Sequence, residues 1–352
     1  MKFNKVSLEN QAEDAIRIGL QRIPFIKIRN VQRNVFKDGK EIDIILTLKL
    51  SGKEKKIIVE VKGKGEPRIA RNAINHLLLA INVFSGSYGI FMAPYISPQA
   101  AAICTQAGIG YLDFSGNCLI SFEQAYIEMS GCPNIYARKR DLRSLYSPKA
   151  SRLLRVLLNN PKRVWKIKDL AKEAEVSFGQ VSNVKKLLAD REWLVSDSDG
   201  IVLKQPQEVL VEWAENYDFR KSLVSDYYSL EDSVTIEEKL AMVCRKQDLA
   251  YALTGISGAA RLAPAVRSPR IMAYVSTITK EILTGLGIKE VSSGANVTLL
   301  IPYDEGVYYG MKEIRGINIV SPVQLYLDLK SYKGRGEEAA QVLLERIIQP
   351  SW

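Results

Sequence analysis

Two apolar runs lying close together, "EIDIILTLKL" (41–50) and "KKIIVEVKG" (55–63), constrain the fold most. Both are strand-length and rich in β-branched residues. Ser51-Gly52 between them is a turn signal, so the pair predicts an antiparallel hairpin. Side chains alternate faces along a strand, which puts Glu60 and Lys62 on one side and Val59 and Val61 on the other. Upstream, Leu8, Ala12, Ile16 and Leu20 recur every four positions and mark one face of a helix. Downstream, "RIARNAINHLLLAINVF" reads as a helix and "YGIFMAPYI" as a buried strand. "SPQAAAICTQAG" reads as a helix opened by Ser97-Pro98, and "IGYLDFSG" as a further strand. A hairpin followed by strand–helix–strand alternation predicts an α/β layout with a mixed sheet over residues 1–135.

The pattern then changes. Residues 136–149, "YARKRDLRSLYSPK", carry five bases against one acid and read as a basic linker. Residues 150–206 hold three helical stretches, separated by Asn160-Pro161 and by Ser177, and close on two β-prone pieces around Asp199-Gly200. Three helices and a hairpin form the winged helix-turn-helix pattern. In its third helix Ser177 reads as the N-cap and Gln180 as the capping-box partner. Val181, Val184 and Leu188 share an inward face, which leaves Ser182, Asn183 and Lys186 outward. Asparagine can address adenine there, and lysine guanine or phosphate. Between Ser151 and Lys186 nine bases face three acids, a polyanion-binding balance. Arg152, Lys162, Arg163 and Lys166 are expected at the phosphate backbone, with Gln180, Ser182, Asn183 and Lys186 on the helix. The acidic wing, "SDSDG", does not suit the minor groove.

Residues 207–352 are mixed α/β. "SPVQLYLDL" begins a helix with Ser321 as N-cap, Pro322 at the first turn and Gln324 as the returning capping side chain. "GRGEEAAQVLLERI" begins another. "LTGISGAARLAP" lacks the GK[ST] ending of a phosphate loop.

Lysine and arginine together number 49 against 39 acids, an excess compatible with double-stranded DNA as partner. Four cysteines without a CxxC pair, and a single histidine at His76, leave no familiar zinc pattern. With no apolar run near membrane-spanning length and no signal-peptide core, the expectation is a cytoplasmic protein with no membrane association. Composition sets no oligomeric state.

Asp43 in "EIDII" and the "EVK" of Glu60 and Lys62 resemble the PD-(D/E)xK nuclease superfamily, the restriction-endonuclease-like fold, over residues 1–135. Asp43 follows Glu-Ile rather than the proline of the family's name. The resemblance implies that Asp43 and Glu60 hold Mg²⁺ or Mn²⁺ and that Lys62 assists attack at the phosphate. Glu9 on the first helix, or Glu13 one turn later, would support the site. Chemically, the ion would polarise the phosphate and lower the pKa of water.

"LTGISGAARLAP" with its following strand resembles part of a nucleotidyltransferase fold. That strand, "RIMAYVS", carries no acid, which argues against nucleotidyl transfer. Taken together, "YLDFSGNCLI", the winged helix, "YALTGISGAARLAP" and "SPVQLYLDL" with "GRGEEAAQVLLE" resemble the AbiEi family of type IV toxin–antitoxin systems, in its larger members. That family implies an antitoxin that represses its own operon and counters a nucleotidyltransferase-like toxin. The expected fold class is therefore α/β and α+β in several domains. A restriction-endonuclease-like domain would be followed by a winged helix and a nucleotidyltransferase-like α/β domain. Three readings stand: a DNA-binding regulator, a metal-dependent endonuclease, and an interaction scaffold on a degenerate nuclease fold.

Overall fold

The computed structural model describes residues 5–21, 25–37, 39–50, 53–123, 125–136, 145–262, 270–332 and 335–352. The Ser51-Gly52 turn and most of the basic 136–149 stretch lie outside them. Contacts group the chain into two compact units, Met1–Lys139 with Asp190–Glu192 and Arg140–Ala189 with Trp193–Trp352.

The first unit is a seven-stranded mixed sheet in the order β1-β2-β3-β4-β5-β6-β7. Its elements are α1 (Lys5–Gln21), β1 (Ile26–Lys37), β2 (Lys40–Leu50), β3 (Lys53–Val61), α2 (Pro67–Val83), β4 (Tyr88–Ala93), α3 (Pro98–Gln106), β5 (Gly110–Asp113), β6 (Cys118–Phe122) and β7 (Ala125–Met129). Strands β1, β2 and β3 pair antiparallel, and β3, β4 and β5 pair parallel, as a hairpin followed by α-crossovers requires. Helix α1 buries Leu8, Ala12, Ile16 and Leu20 against Ile44, Leu46, Ile57 and Val59. Helices α2 and α3 cover the other face, over Ile45, Ile58 and Phe91. Strands buried on both faces read as continuous apolar runs, which is why β2 to β4 stood out in the sequence. Strand β1 was not foreseen. It is the sheet's edge, and most of its residues face water, so it lacks apolar alternation. Gly65 bridges Ile96, and a Cβ there would come within 2.2 Å of the Tyr95 carbonyl oxygen.

The second unit begins with α4 (Pro148–Asn159), α5 (Ile167–Glu173), α6 (Phe178–Asp190) and the two-stranded sheet β8 (Leu194–Ser196) and β9 (Ile201–Leu203). Trp165 pairs with Ile201 through both backbone groups and ties the two-stranded sheet to the segment before α5. After α7 (Pro206–Glu215) come β10 (Leu223–Tyr228), α8 (Ser233–Lys246), β11 (Tyr251–Leu253), α9 (Gly255–Leu262), β12 (Ile271–Val275) and α10 (Lys280–Leu286). The series continues with β13 (Lys289–Glu290), β14 (Val297–Ile301), β15 (Lys312–Ile314), β16 (Ile317–Ile319), α11 (Pro322–Lys330) and α12 (Arg335–Leu343). The strands form a second mixed sheet, ordered β13-β10-β14-β12-β11-β16-β15. One core takes residues from α4, α6, α7, α11 and α12 together with Tyr274 and Leu300, so the early helices and one face of this sheet are built as a piece.

A buried polar network runs through that core. Arg155 on α4 is wholly buried, and its Nε and Nη2 donate to Gln324 Oε1 at 2.9 and 2.7 Å. Gln324 Nε2 in turn donates to Tyr217 Oη at 2.8 Å and Asp328 Oδ1 at 3.0 Å. Tyr217, Tyr274 and Thr254 each donate a hydroxyl to Asp328. Burial pushes the Asp328 carboxyl up from its ordinary value against these four donors. The capping box expected at Ser321 is thus half formed. Ser321 Oγ accepts from the Gln324 amide at 3.3 Å, but the Gln324 side chain turns into the core instead of back to the cap.

Arg152 also departs from expectation. Its guanidinium grips Asp304 at 2.8 and 3.0 Å and reaches Glu175 at 2.6 Å, so it is a structural ion pair rather than a cation presented to phosphate. Hydrogen bonding to Asp304 raises its pKa above the ordinary arginine value despite partial burial. Among the described residues no helix is long and apolar enough to cross a membrane. Three cysteines are buried, with Cys104 pushed up to about 12 and Cys244 to about 11 by desolvation.

Two stability outcomes follow. Arg152→Ala strands the Asp304 carboxylate and is expected to cost about 2–4 kcal/mol in urea unfolding. Gly65→Ala forces backbone apart and is expected to cost about 1–3 kcal/mol. An unchanged midpoint in either variant would contradict the corresponding packing.

Candidate functional sites

The first site lies where β2 and β3 part. Their ladder ends at Ile44 opposite Val59, and one residue further on the Asp43 side chain takes over from the backbone. Its Oδ2 accepts the Val61 amide at 2.8 Å, which holds the carboxylate beside Glu60 in a defined orientation. Val59 and Val61 join the α1-facing core and Ile58 the α2-facing one, so Glu60 points to the α2 side as alternation predicted. Asp43 and Glu60 are both 6% exposed, at the wall of a cleft of about 640 Å³ that Lys62 and His76 also line. Lys62 Nζ donates to Glu60 Oε1 at 2.5 Å, and His76 Nδ1 lies 3.3 Å from the same oxygen.

The structure therefore brings Asp43, Glu60 and Lys62 to one cleft. Glu9 is buried on α1, and its Oε2 accepts from Asn34 Nδ2 at 3.2 Å. Asn34 sits in β1 at the position facing Asp43 and adopts φ of 48°, a left-handed backbone that asparagine tolerates better than most residues. Glu13, the alternative to Glu9, is instead clamped by Arg17 and Arg33. Burial pushes its carboxyl up, but the two guanidiniums outweigh that and hold it below the ordinary glutamate value. His76 and Asn34 were missed in the sequence. A histidine on α2 meets Glu60 only once α2 has packed on the sheet.

Asp43 and Glu60 are the residues that could hold a cation here. Two hard oxygen donors in a water-accessible cleft suit Mg²⁺ or Mn²⁺, since such ions keep several waters and need only one or two carboxylates. Among the described residues no group of three histidine, cysteine, aspartate or glutamate side chains forms a ready-made cage.

The second site is the outer face of α6. Val181, Val184 and Leu188 are buried, whereas Ser182, Asn183 and Lys186 are exposed on one side. Gln180 is half-buried; its amide donates to Ser177 Oγ at 3.2 Å, completing the expected N-cap. Lys162, Arg163 and Lys166 are exposed on the segment leading into α5. The Arg163 guanidinium stacks 3.8 Å from the Trp165 ring centre, and Lys166 Nζ donates to the Ser198 carbonyl at 3.3 Å. Of the eight residues expected at DNA, Arg152 alone is fully engaged inside the fold. Arg155, counted in the local positive balance, contributes nothing to the surface.

No curated protein matches the chain. A repair endonuclease from Pyrococcus abyssi is 14% identical and overlaps 30% of this chain and 46% of its own, with a TM-score of 0.24. An EndoMS–dsDNA complex is 13% identical, over 32% of this chain and 45% of its own, also at a TM-score of 0.24. The chain thus spans less than half the length of these structures, an overlap too slight to carry a functional argument. A family model matches the greater part of the second unit: residues 202–349 correspond to the transcriptional regulator described as the AbiEi antitoxin of type IV toxin–antitoxin systems.

Proposed function

We propose that this chain is a DNA-binding transcriptional regulator of antitoxin type, which represses its own operon and counters a nucleotidyltransferase-like toxin. The observation that carries the reading is the exposed Ser182–Asn183–Lys186 face of α6, built into one compact unit with the segment that matches the antitoxin family. In this reading α4, α5, α6 and the β8–β9 hairpin act as a winged helix-turn-helix, and α6 enters the major groove. Asn183 and Ser182 address base edges, while Lys162, Arg163 and Lys166 sit at phosphates and set register rather than sequence choice.

A second reading attaches to the first unit. Asp43, Glu60 and Lys62 on one cleft wall support metal-dependent cleavage of a phosphodiester. Asp43 and Glu60 would hold the Mg²⁺ or Mn²⁺, which when bound polarises the phosphate and acidifies water. The Val61 amide fixes Asp43, and Lys62 places a positive charge where phosphate charge develops. Glu9, through Asn34, supports the strand that faces Asp43.

Neutralising Lys162, Arg163 and Lys186 to alanine is expected to weaken binding to the chain's own promoter about tenfold or more. The steep decline of affinity with salt should flatten as well. Gel-shift titration at two salt concentrations measures both, and unchanged binding would sink the groove assignment. For the second reading, Mn²⁺ is expected to raise the unfolding temperature of the protein but not of Asp43→Asn or Glu60→Gln. Mg²⁺ or Mn²⁺ should also support nicking of duplex or branched DNA, lost in the same variants. A metal-independent unfolding temperature with no cutting across those substrates would leave the cleft as a relic on a scaffold.

A further inference from the structure

Strand β1 is the edge of the first sheet and is strongly basic. It carries Lys27, Arg29, Arg33 and Lys37 and no acid, and its exposed residues include Asn30 and Gln32. Arg33 is paired with Glu13, which leaves Lys27, Arg29 and Lys37 as the cations it presents outward. Charges on an edge strand can serve only to block pairing with other sheets. That explanation does not account for Phe36, which is 74% exposed on the same edge. A strand kept from aggregating by its charges gains nothing from a bare aromatic ring beside them.

The hairpin end adds a second observation. Lys37 Nζ lies 4.5 Å and Lys56 Nζ 5.4 Å from the centre of the Phe84 ring, so two ammonium groups gather around one aromatic ring. Two like charges held together in this way favour an anion nearby. The cross-strand partners of Phe36 and Lys37 are Glu41 and Lys40, and both of those line the Asp43 cleft. The tip of the β1–β2 hairpin therefore borders the cleft, with Phe36 and Lys37, neighbours in the strand, turned to opposite faces. From Lys27 to Lys37 the strand runs about 33 Å, long enough to follow several nucleotides.

We infer that the β1 edge is a second nucleic-acid surface, one that binds a single-stranded stretch of DNA: Lys27, Arg29, Lys37 and Lys56 contact the phosphates, and Phe36 stacks on a base. The choice of a single strand follows from Phe36. A base offers its face to an outside ring only when it is unstacked, and basic grooves with protruding aromatics bind single strands in this way. The surface belongs to the first unit and the α6 face to the second, and it requires no cutting in the cleft.

The test uses the full chain and a fluorescent single-stranded oligonucleotide, with a blunt duplex of the same sequence as comparison. The Lys162→Ala/Arg163→Ala/Lys186→Ala background removes the contribution of the α6 surface. In that background the single strand should still bind. Adding Lys27→Ala, Arg29→Ala, Lys37→Ala and Lys56→Ala should lower its affinity about tenfold or more and reduce the log–log salt slope by about 2–3. The four arginine replacements should restore both. Phe36→Ala should weaken the single strand about tenfold and leave the duplex and the salt slope unchanged. Unchanged affinity and slope in the fourfold alanine variant overturn the surface. An equal loss on duplex and single strand in Phe36→Ala overturns the stacking role.

Discussion

An arginine with no exposure to water sets the terms for the second unit. Arg155 cannot be buried without acceptors, because an unpartnered buried guanidinium costs about 3–5 kcal/mol, a large part of a domain's net stability. One acceptor, Gln324, lies far along the chain and the other, Ser151, one helical turn back, and Gln324 is in turn held by Tyr217 and Asp328. Helix α4 is thereby fastened to α11, and the DNA-binding candidate α6 shares a core with α4 and with the sheet that matches the antitoxin family.

In the first unit the corresponding constraint is the bond from the Val61 amide to the Asp43 carboxylate. Where the β2–β3 ladder stops, a side chain replaces a backbone carbonyl as acceptor, and the strands open into a cleft. The same bond satisfies a buried donor and aims a carboxylate, so stability and the candidate chemistry rest on one interaction. Asn34 in its left-handed conformation, across from Asp43, is the local departure from regular strand geometry that accompanies this opening. Strained backbone of this kind tends to gather at working sites, since regular pairing alone would not maintain it.

The two candidate surfaces present polar and basic groups in different ways. The α6 face offers an asparagine, a serine and a lysine on a helix with a dry inner side, suited to a groove. The β1 edge offers spaced cations and one bare ring, suited to an unstacked strand. Both fit the chain's excess of positive charge, which by itself permits a polyanion without saying where one would bind.

The sequence by itself determined what local periodicity encodes. The alternation of "IIVEVK" assigned Glu60 and Lys62 to one face, and the i, i+4 spacing of Leu8 to Leu20 assigned the buried side of α1. Serine, proline and glycine marked the N-caps at Ser97, Ser177 and Ser321. Only the tertiary structure decided which charges work and which are consumed. Arg152 and Lys162 look alike in the sequence, yet Arg152 meets Asp304, 152 residues away, and Lys162 stays exposed. Gln324 has the spacing of a capping residue, but a buried arginine offers it stronger bonds. Strand β1 escaped notice because an exposed edge needs no apolar pattern, and His76 because its contact with Glu60 exists only after α2 docks. Periodicity records the face a residue turns to its own element. Its partner on another element is fixed only when the elements pack, and that pairing settles its role.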